Sequence, residues 1–231
     1  MKMKTAVVIG STGLVGNLLL EKLAQDTAFG QIIAICRKRP LPCDVFKNPK
    51  IRVILFNFDK WPDLELQVKS FVGNAVCSFF CCLGTTIAQA GSEEAFKKVD
   101  HDYVVQFAAL AKVCRAEQLL VVSALGADKN STVFYNRTKG EMEADVQNEF
   151  SGKTHFLRPS LLLGDRKDFR FVERIAILFA PLYSSLLFGQ FKKYQPIPAI
   201  TVARAMARIG AKKITAGLII ENHELFSIGV K

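Results

Sequence analysis

A short apolar run, Thr5-Ala6-Val7-Val8-Ile9, ends in Gly10-Ser11-Thr12-Gly13-Leu14-Val15-Gly16, and Asn17-Leu18-Leu19-Leu20 follows at once. Glycines at this spacing between a strand and a helix have distinct uses. Gly10 allows a tight turn, Gly13 lets the backbone approach a pyrophosphate, and Gly16 lets helix and sheet close together. The helix start then offers free N–H groups to an anion. A glycine-rich loop alone says little. Placed directly after a strand and before a helix, it predicts an α/β chain of Rossmann type that binds a dinucleotide.

The rest of the chain alternates in the same way, as a doubly wound parallel sheet requires. Thr5–Ile9 is the first strand and Leu14–Gln25 the first helix, with Val15, Leu18, Leu19 and Leu23 inward. Gln31–Cys36 and Ile51–Phe56 read as strands two and three, with Pro40 and Pro42 breaking the chain between them. Ala75–Cys82 is apolar except for Ser78, as in a strand covered on both faces. One long helix is predicted over Glu93–Lys112, where Phe96, Val99, Tyr103, Val104, Phe107 and Ala111 keep the helical period. Leu119–Val122, Val133–Gln147 and Thr154–Leu157 read as strand, helix and strand. About 70 residues remain after Arg158-Pro159. They read as helical over Phe171–Phe179 and Thr201–Lys212, with a last strand over His223–Ile228. They are too few for a substantial second domain. Residues 1–231 are therefore expected to form a single domain, with a core of about 1–160 and a short C-terminal part (about 161–231) capping a substrate site.

The net charge of +10 raises the question of nucleic acid, yet the basic residues are spread over the whole chain, so no nucleic-acid partner is expected. The six cysteines (Cys36, Cys43, Cys77, Cys81, Cys82 and Cys114) lie mostly in apolar runs without a C-x-x-C, and His101, His155 and His223 are far apart. Neither disulfides nor a metal site is expected. The first apolar run is too short for a secretory h-region. The longest one, Ile175 to Gln190, is shorter than a membrane span and contains Pro181, so it reads as a buried helix pair rather than a surface for membrane or partner. A cytoplasmic protein is the expectation.

Two further features carry chemistry. The second strand ends Ile35-Cys36-Arg37-Lys38-Arg39, with cations where an NAD site usually has an acid for the ribose 2′-hydroxyl. Cations suit a 2′-phosphate, so NADP(H) is the expected cofactor. Tyr135 and Lys139, four residues apart, share one helix face. A nearby ammonium is expected to lower the phenol pKa from ~10 into acid/base range, and the lysine could hold the nicotinamide ribose. Ser123, at the end of the fifth strand, could orient a substrate carbonyl. The spacing Y-x-x-x-K is weak by itself and gains its meaning from its place in the fold.

With these residues in view, the chain resembles the short-chain dehydrogenase/reductase superfamily, in the glycine spacing of its extended and atypical branches. More narrowly, Phe80-Cys81-Cys82-Leu83-Gly84-Thr85-Thr86, Lys98-Val99-Asp100-His101-Asp102-Tyr103-Val104, Gly126-Ala127-Asp128-Lys129 and Leu157-Arg158-Pro159 resemble the Tat-interacting-protein group of atypical members. The likeness runs from about Val7 to Arg170 and patchily beyond. It implies cofactor contacts from Thr12, Gly13, Leu14 and Val15, from Arg37 and Lys38 at the 2′-phosphate, and from Leu83 and Gly84. It also implies contacts from Tyr135 and Lys139 at the ribose and from Leu162 and Arg170. Two departures stand out. Strand three runs into Phe56-Asn57-Phe58-Asp59, so either Asn57 or Asp59 reads adenine. Asp100 stands where the commoner branch has an asparagine serving a water relay; it either joins a relay or caps or pairs with Lys97.

Two functions follow as expectations. The first is an NADPH-dependent oxidoreductase reducing a small carbonyl compound, with Tyr135 as proton donor, Lys139 on the ribose and Ser123 orienting the substrate. The second is an NADP(H)-binding regulatory module that meets a protein partner through the apolar stretch 175–188. The complete Ser-Tyr-Lys set favours the enzyme.

Overall fold

The computed structural model describes residues 3–38, 44–58, 60–164 and 194–230. Among the described residues nine strands follow in chain order: β1 (Lys4–Ile9), β2 (Phe29–Cys36), β3 (Ile51–Leu55), β4 (Cys77–Cys81), β5 (Gln118–Val122), β6 (Lys153–Arg158), β7 (Leu162–Leu163), β8 (Ile197–Pro198) and β9 (Ile219–Glu221). Among them run the helices α1 (Leu14–Gln25), α2 (Trp61–Val72), α3 (Ile87–Ala90), α4 (Glu93–Lys97), α5 (Tyr103–Val113), α6 (Phe134–Glu149), α7 (Ala199–Gly210) and α8 (Asn222–Val230). Seven strands form one sheet in the order β3-β2-β1-β4-β5-β6-β9, every neighbouring pair parallel. The α/β, doubly wound Rossmann architecture expected from the sequence is the one observed. β7 and β8 pair separately.

Strand periodicity divides the core into two layers. In β1, Ala6 and Val8 enter the cluster under α1 and α7, while Val7 and Ile9 enter the one under α2, α5 and α6. The same alternation sends Phe80 to the first layer and Phe79 and Cys81 to the second. Cys81 and Cys82 thus face opposite sides, as adjacent strand residues must. Phe79 packs on Phe107 of α5 with ring centroids 5.2 Å apart. A side chain so fully buried contributes about 1.5–3 kcal/mol relative to exposure, which is why these strands read as continuous apolar runs.

Three differences from expectation stand out. α2 fills a stretch to which the sequence reading assigned no element, although its signals are present: Pro62 in the first turn, then buried Leu64, Val68 and Val72 at four-residue spacing. The long helix expected over Glu93–Lys112 is α4 and α5 joined by a five-residue π turn, Lys98–Asp102. Finally, the strand expected over His223–Ile228 is α8. The final strand comes earlier, at Ile219–Glu221, because it pairs with β6, and the Glu224 carboxylate accepts the Glu221 N–H at 2.8 Å as the helix begins. Leu225, Phe226 and Ile228 mimic alternation while packing on the α1–α7 layer.

The helical expectation over Phe171–Phe179 and the apolar stretch 175–188 lie outside the described residues. Among the described residues, no helix is long and apolar enough to cross a membrane.

Candidate functional site

Parallel register brings the strand ends into line. Ile9 lies beside Ile35 and Cys81, Cys81 beside Val121, and Val122 beside Leu157. The residues that follow, namely Gly10, Arg37, Leu83 and Ser123, therefore emerge along one edge of the sheet. β1 has β2 on one side and β4 on the other, so strand order reverses there, where open α/β sheets form a ligand crevice.

The glycine turn is built by backbone meeting backbone. Gly10 has φ +75°, and a Cβ on it would come within 2.5 Å of the Cys82 carbonyl carbon. A Cβ on Gly16 would lie 2.2 Å from the Gly10 oxygen. Gly13 differs: its Cβ would meet only the Gly10 oxygen at 3.2 Å and the Cys82 oxygen at 4.0 Å. It caps α1 in extended conformation, without a side-chain hydrogen bond to the helix start. The Ser11 hydroxyl donates to the Ile35 carbonyl at 3.0 Å and lies 3.1 Å from Cys36 Sγ, fastening the turn to the end of β2. The sequence reading gave Ser11 no role; a polar residue between the first two glycines was its only signal.

Around the turn, Thr12 is exposed, Leu14 half-buried and Val15 buried. Arg37 and Lys38 are exposed directly after β2, Leu83 is half-buried and Gly84 exposed after β4, and Leu162 is half-buried in β7. Asn57 is exposed beyond β3, whereas Arg39, Asp59 and Arg170 lie outside the described residues. An uncapped helix start at Gly13 and two exposed cations at the next strand end fit the diphosphate and ribose of a dinucleotide.

At the other side of the edge the materials change. Lys139 Nζ lies 2.7 Å from Asp100 Oδ1, with 3% and 1% of the two side chains exposed. Asp100 Oδ2 accepts the Thr85 N–H at 2.8 Å. Asp100 thus pairs with Lys139 and not with Lys97, which pairs instead with Glu141. Tyr135 is half-buried, with its ring 5.5 Å from that of Phe96. Burial pushes its phenol above the ordinary value; the Asp100 carboxylate adds to that push, and Lys139 opposes it without prevailing. The lowered phenol pKa expected from the Tyr-Lys spacing is therefore not found, because burial outweighs the pull of the ammonium, which the Asp100 carboxylate partly offsets.

Ser123 is buried, and its hydroxyl donates to Glu143 Oε1 at 2.5 Å. Arg158 holds both oxygens of that carboxylate, Nε to Oε1 at 3.0 Å and an outer guanidinium nitrogen to Oε2 at 2.6 Å. Glu221 lies on the far side of the guanidinium at 3.4 Å. Glu143 and Arg158 had no role in the sequence reading, although Glu143 stands one helical turn beyond Lys139 on the same face.

No family model matches the chain. It is 33% identical over 207 residues to Protein HTATIP2 of Rattus norvegicus, covering 89% of this chain and 81% of that protein. It is 33% identical over 196 residues to the protein named FMP52-2, mitochondrial, of Scheffersomyces stipitis, covering 84% and 80%. Among solved structures, that of gox2181 superposes with a TM-score of 0.71 at 10% identity, covering 97% of this chain and 96% of the other. A UDP-N-acetylglucosamine 4-epimerase from Methanobrevibacter ruminantium superposes at 0.67 and 15% identity, covering 98% and 81%. At such identity these two show the fold alone. The FMP52 relatives of Scheffersomyces stipitis and Debaryomyces hansenii are named mitochondrial, which overturns the expectation of a cytoplasmic protein. Hydropathy argued only against secretion and a membrane span; an organellar address is amphipathic rather than apolar, so hydropathy does not detect it. With a third of its residues shared over most of both chains, the protein belongs to the Tat-interacting-protein-like group of atypical short-chain dehydrogenases/reductases, alongside HTATIP2 and FMP52.

Proposed function

We propose that the protein is an NADP(H)-dependent oxidoreductase that reduces a small carbonyl compound beside Tyr135. The observation that carries this reading is a half-buried phenol held protonated at neutral pH, next to a lysine, on the sheet edge that begins at the glycine turn. NADPH, when bound, supplies the hydride. The turn from Gly10 to Gly16 receives the pyrophosphate, and Arg37 and Lys38 meet the 2′-phosphate. Leu83, Gly84 and Leu162 line the cofactor, with Arg170 beyond the described residues. Tyr135, protonated at neutral pH, gives its proton to the substrate oxygen as negative charge develops there. Lys139 holds the ribose and stabilises the phenolate left behind. Ser123 orients the carbonyl only by turning its hydroxyl away from Glu143. The chain forms one domain, and its C-terminal part from about 161 shapes the substrate pocket.

Steady-state reduction of a panel of aldehydes and ketones tests this. Tyr135→Phe is expected to lower kcat by roughly a hundredfold or more with NADPH affinity kept. Ser123→Ala should cost less, since that hydroxyl is already engaged. Unchanged turnover in Tyr135→Phe sinks the assignment.

One observation favours a second reading, an NADP(H)-binding module with a regulatory role: both Ser123 and Lys139 are tied to buried carboxylates. The partner surface would be the apolar stretch 175–188. Partners captured with and without NADPH should then differ, and identical sets count against it.

A further inference from the structure

Lys139 is a buried cation whose charge the fold has to balance, and the balancing group comes from a distant part of the chain. The π turn Lys98–Asp102 interrupts what would otherwise be a single helix through α4 and α5. Such turns insert a residue into the helical ladder and are frequent at functional sites. Here Asp100 is buried on the inner stripe between Phe96 and Val104, while Val99, the residue that helical periodicity points inward, is only half-buried. Asp100 spends one oxygen on Lys139 at 2.7 Å and the other on the Thr85 N–H at 2.8 Å. Thr85 follows Leu83 and Gly84, and a Cβ on Gly84 would lie 3.6 Å from Asp100 Oδ1. One carboxylate therefore joins the loop after β4, the π turn and the functional face of α6.

We propose that Asp100 is a positioning residue that clamps Lys139 and the Thr85 loop together, so that Tyr135 faces an ion pair in place of a free ammonium. The proposal rests on the roles given above to Tyr135 and Lys139. Among the described residues, the titratable groups that act on Lys139 are Asp100, Tyr135 and the Cys81 thiol of β4. Burial pushes Cys81 up to about 12, so it is neutral at physiological pH. Asp100 is thus the one anion of the three. Burial by itself would drive the lysine toward its neutral form; the Asp100 charge and hydrogen bond, together with smaller contributions from Tyr135 and Cys81, outweigh this and hold it an ammonium. The same charge helps to keep Tyr135 protonated. The clamp makes the resting site a proton-loaded one: a protonated phenol beside a neutralised lysine. It also implies that Lys139 reaches a ribose only by sharing its protons between that ligand and Asp100, which an ammonium with three donors can do.

The test uses the nucleotide-free protein. Phenolate formation is followed by ultraviolet absorbance against pH, and the Tyr135 step is assigned by difference from Tyr135→Phe. In Asp100→Asn, which keeps shape and acceptor but removes the charge, that step is expected to move to lower pH, its ionisation constant rising roughly tenfold or more. Asp100→Glu should restore most of the difference. A step that does not move in folded Asp100→Asn overturns the clamp, because a purely structural role for Asp100 would change stability and leave the phenol alone. If Asp100→Asn does not fold, wild-type protein decides. NMR of lysine ammonium groups, assigned by Lys139→Arg, is expected to show a slowly exchanging Lys139 resonance at neutral pH, and absence of that resonance overturns the proposal. NADPH binding, read from Trp61 fluorescence, separates the two claims. Failure of wild type to bind it removes the proposed reduction, whereas an unmoved phenol with intact binding removes the clamp alone.

Discussion

The glycine turn and the Tyr135–Lys139 region lie on the same edge of one sheet, yet they are made of opposite materials. At the turn, backbone meets backbone: Gly10 and Gly16 are needed because Cys82 and Gly10 leave no room for a Cβ. Around Tyr135 and Ser123, side-chain charges are buried in pairs, Lys139 with Asp100 and Glu143 with Arg158. The first kind of site depends on shape and tolerates no added atom. The second depends on charge balance, and removing one member leaves the other stranded out of water. A recognition surface for phosphates can be built from the first alone, whereas proton chemistry needs the second.

The contrast can be broken most directly at the glycines. Gly16→Ala sets a methyl against backbone that cannot swing aside, and a loss of about 3–5 kcal/mol in denaturant unfolding is expected. Gly13→Ala, with more room, should cost about 1 kcal/mol or less in stability but weaken NADPH binding by roughly tenfold or more. Equal destabilisation by the two would erase the distinction between a packing glycine and a ligand-facing one. Next in size comes Glu143→Ala, which leaves Arg158 only the longer contact with Glu221 at 3.4 Å. Its expected cost is about 3 kcal/mol, measured by the same unfolding, and simultaneous Arg158→Met should recover part of it. Purely additive losses would show that the pair is not coupled.

Smaller effects sharpen the comparison. Arg37→Ala with Lys38→Ala should bring NADPH affinity down toward that of NADH, a change of about 1.4 kcal/mol for each tenfold. Titration by Trp61 fluorescence reads this, and a retained preference for NADPH would move the 2′-phosphate elsewhere. The smallest expected effect is at His155, buried in β6, with Nδ1 donating to the Gly217 carbonyl at 2.7 Å. Burial lowers its pKa from the ordinary histidine value, outweighing the Gly217 bond. The unfolded chain therefore takes up this proton first as pH falls. The residue's contribution is intact above about 6.5 and is lost progressively on acidification. Melting temperature measured from pH 7.5 down to 5 should fall less in His155→Gln than in wild type; parallel curves would remove His155 from the account.

Much of this molecule was legible from residue order alone. The strand–turn–helix signal of β1 and α1 predicted the turn's position and the bounds of α1, since three glycines and a period of apolar residues are local facts. The clustering of candidate residues at strand ends followed from parallel β-α alternation. Misreadings arose where short-range patterns are ambiguous. Leu225, Phe226 and Ile228 fit a strand as well as a helix until β9 takes the pairing position beside β6. The π turn was invisible because Val99 and Asp100 both fall near the inner stripe of an ordinary helix. Cellular placement was misjudged because hydropathy excludes some compartments without choosing among the rest.

The sequence by itself determined the parallel Rossmann architecture, the glycine turn after β1 and the shared helix face of Tyr135 and Lys139. Each rests on spacing along a single element or between adjacent ones. Only the tertiary structure decided what those side chains experience. Asp100 lies 39 residues before Lys139, and Glu143 meets Arg158 across the α6–β6 connection. Which carboxylate neutralises which cation is set by packing between elements, and the strength of the pairing comes from excluding water around both. That is why Tyr-Lys spacing alone suggested a lowered phenol pKa and the folded chain raises it.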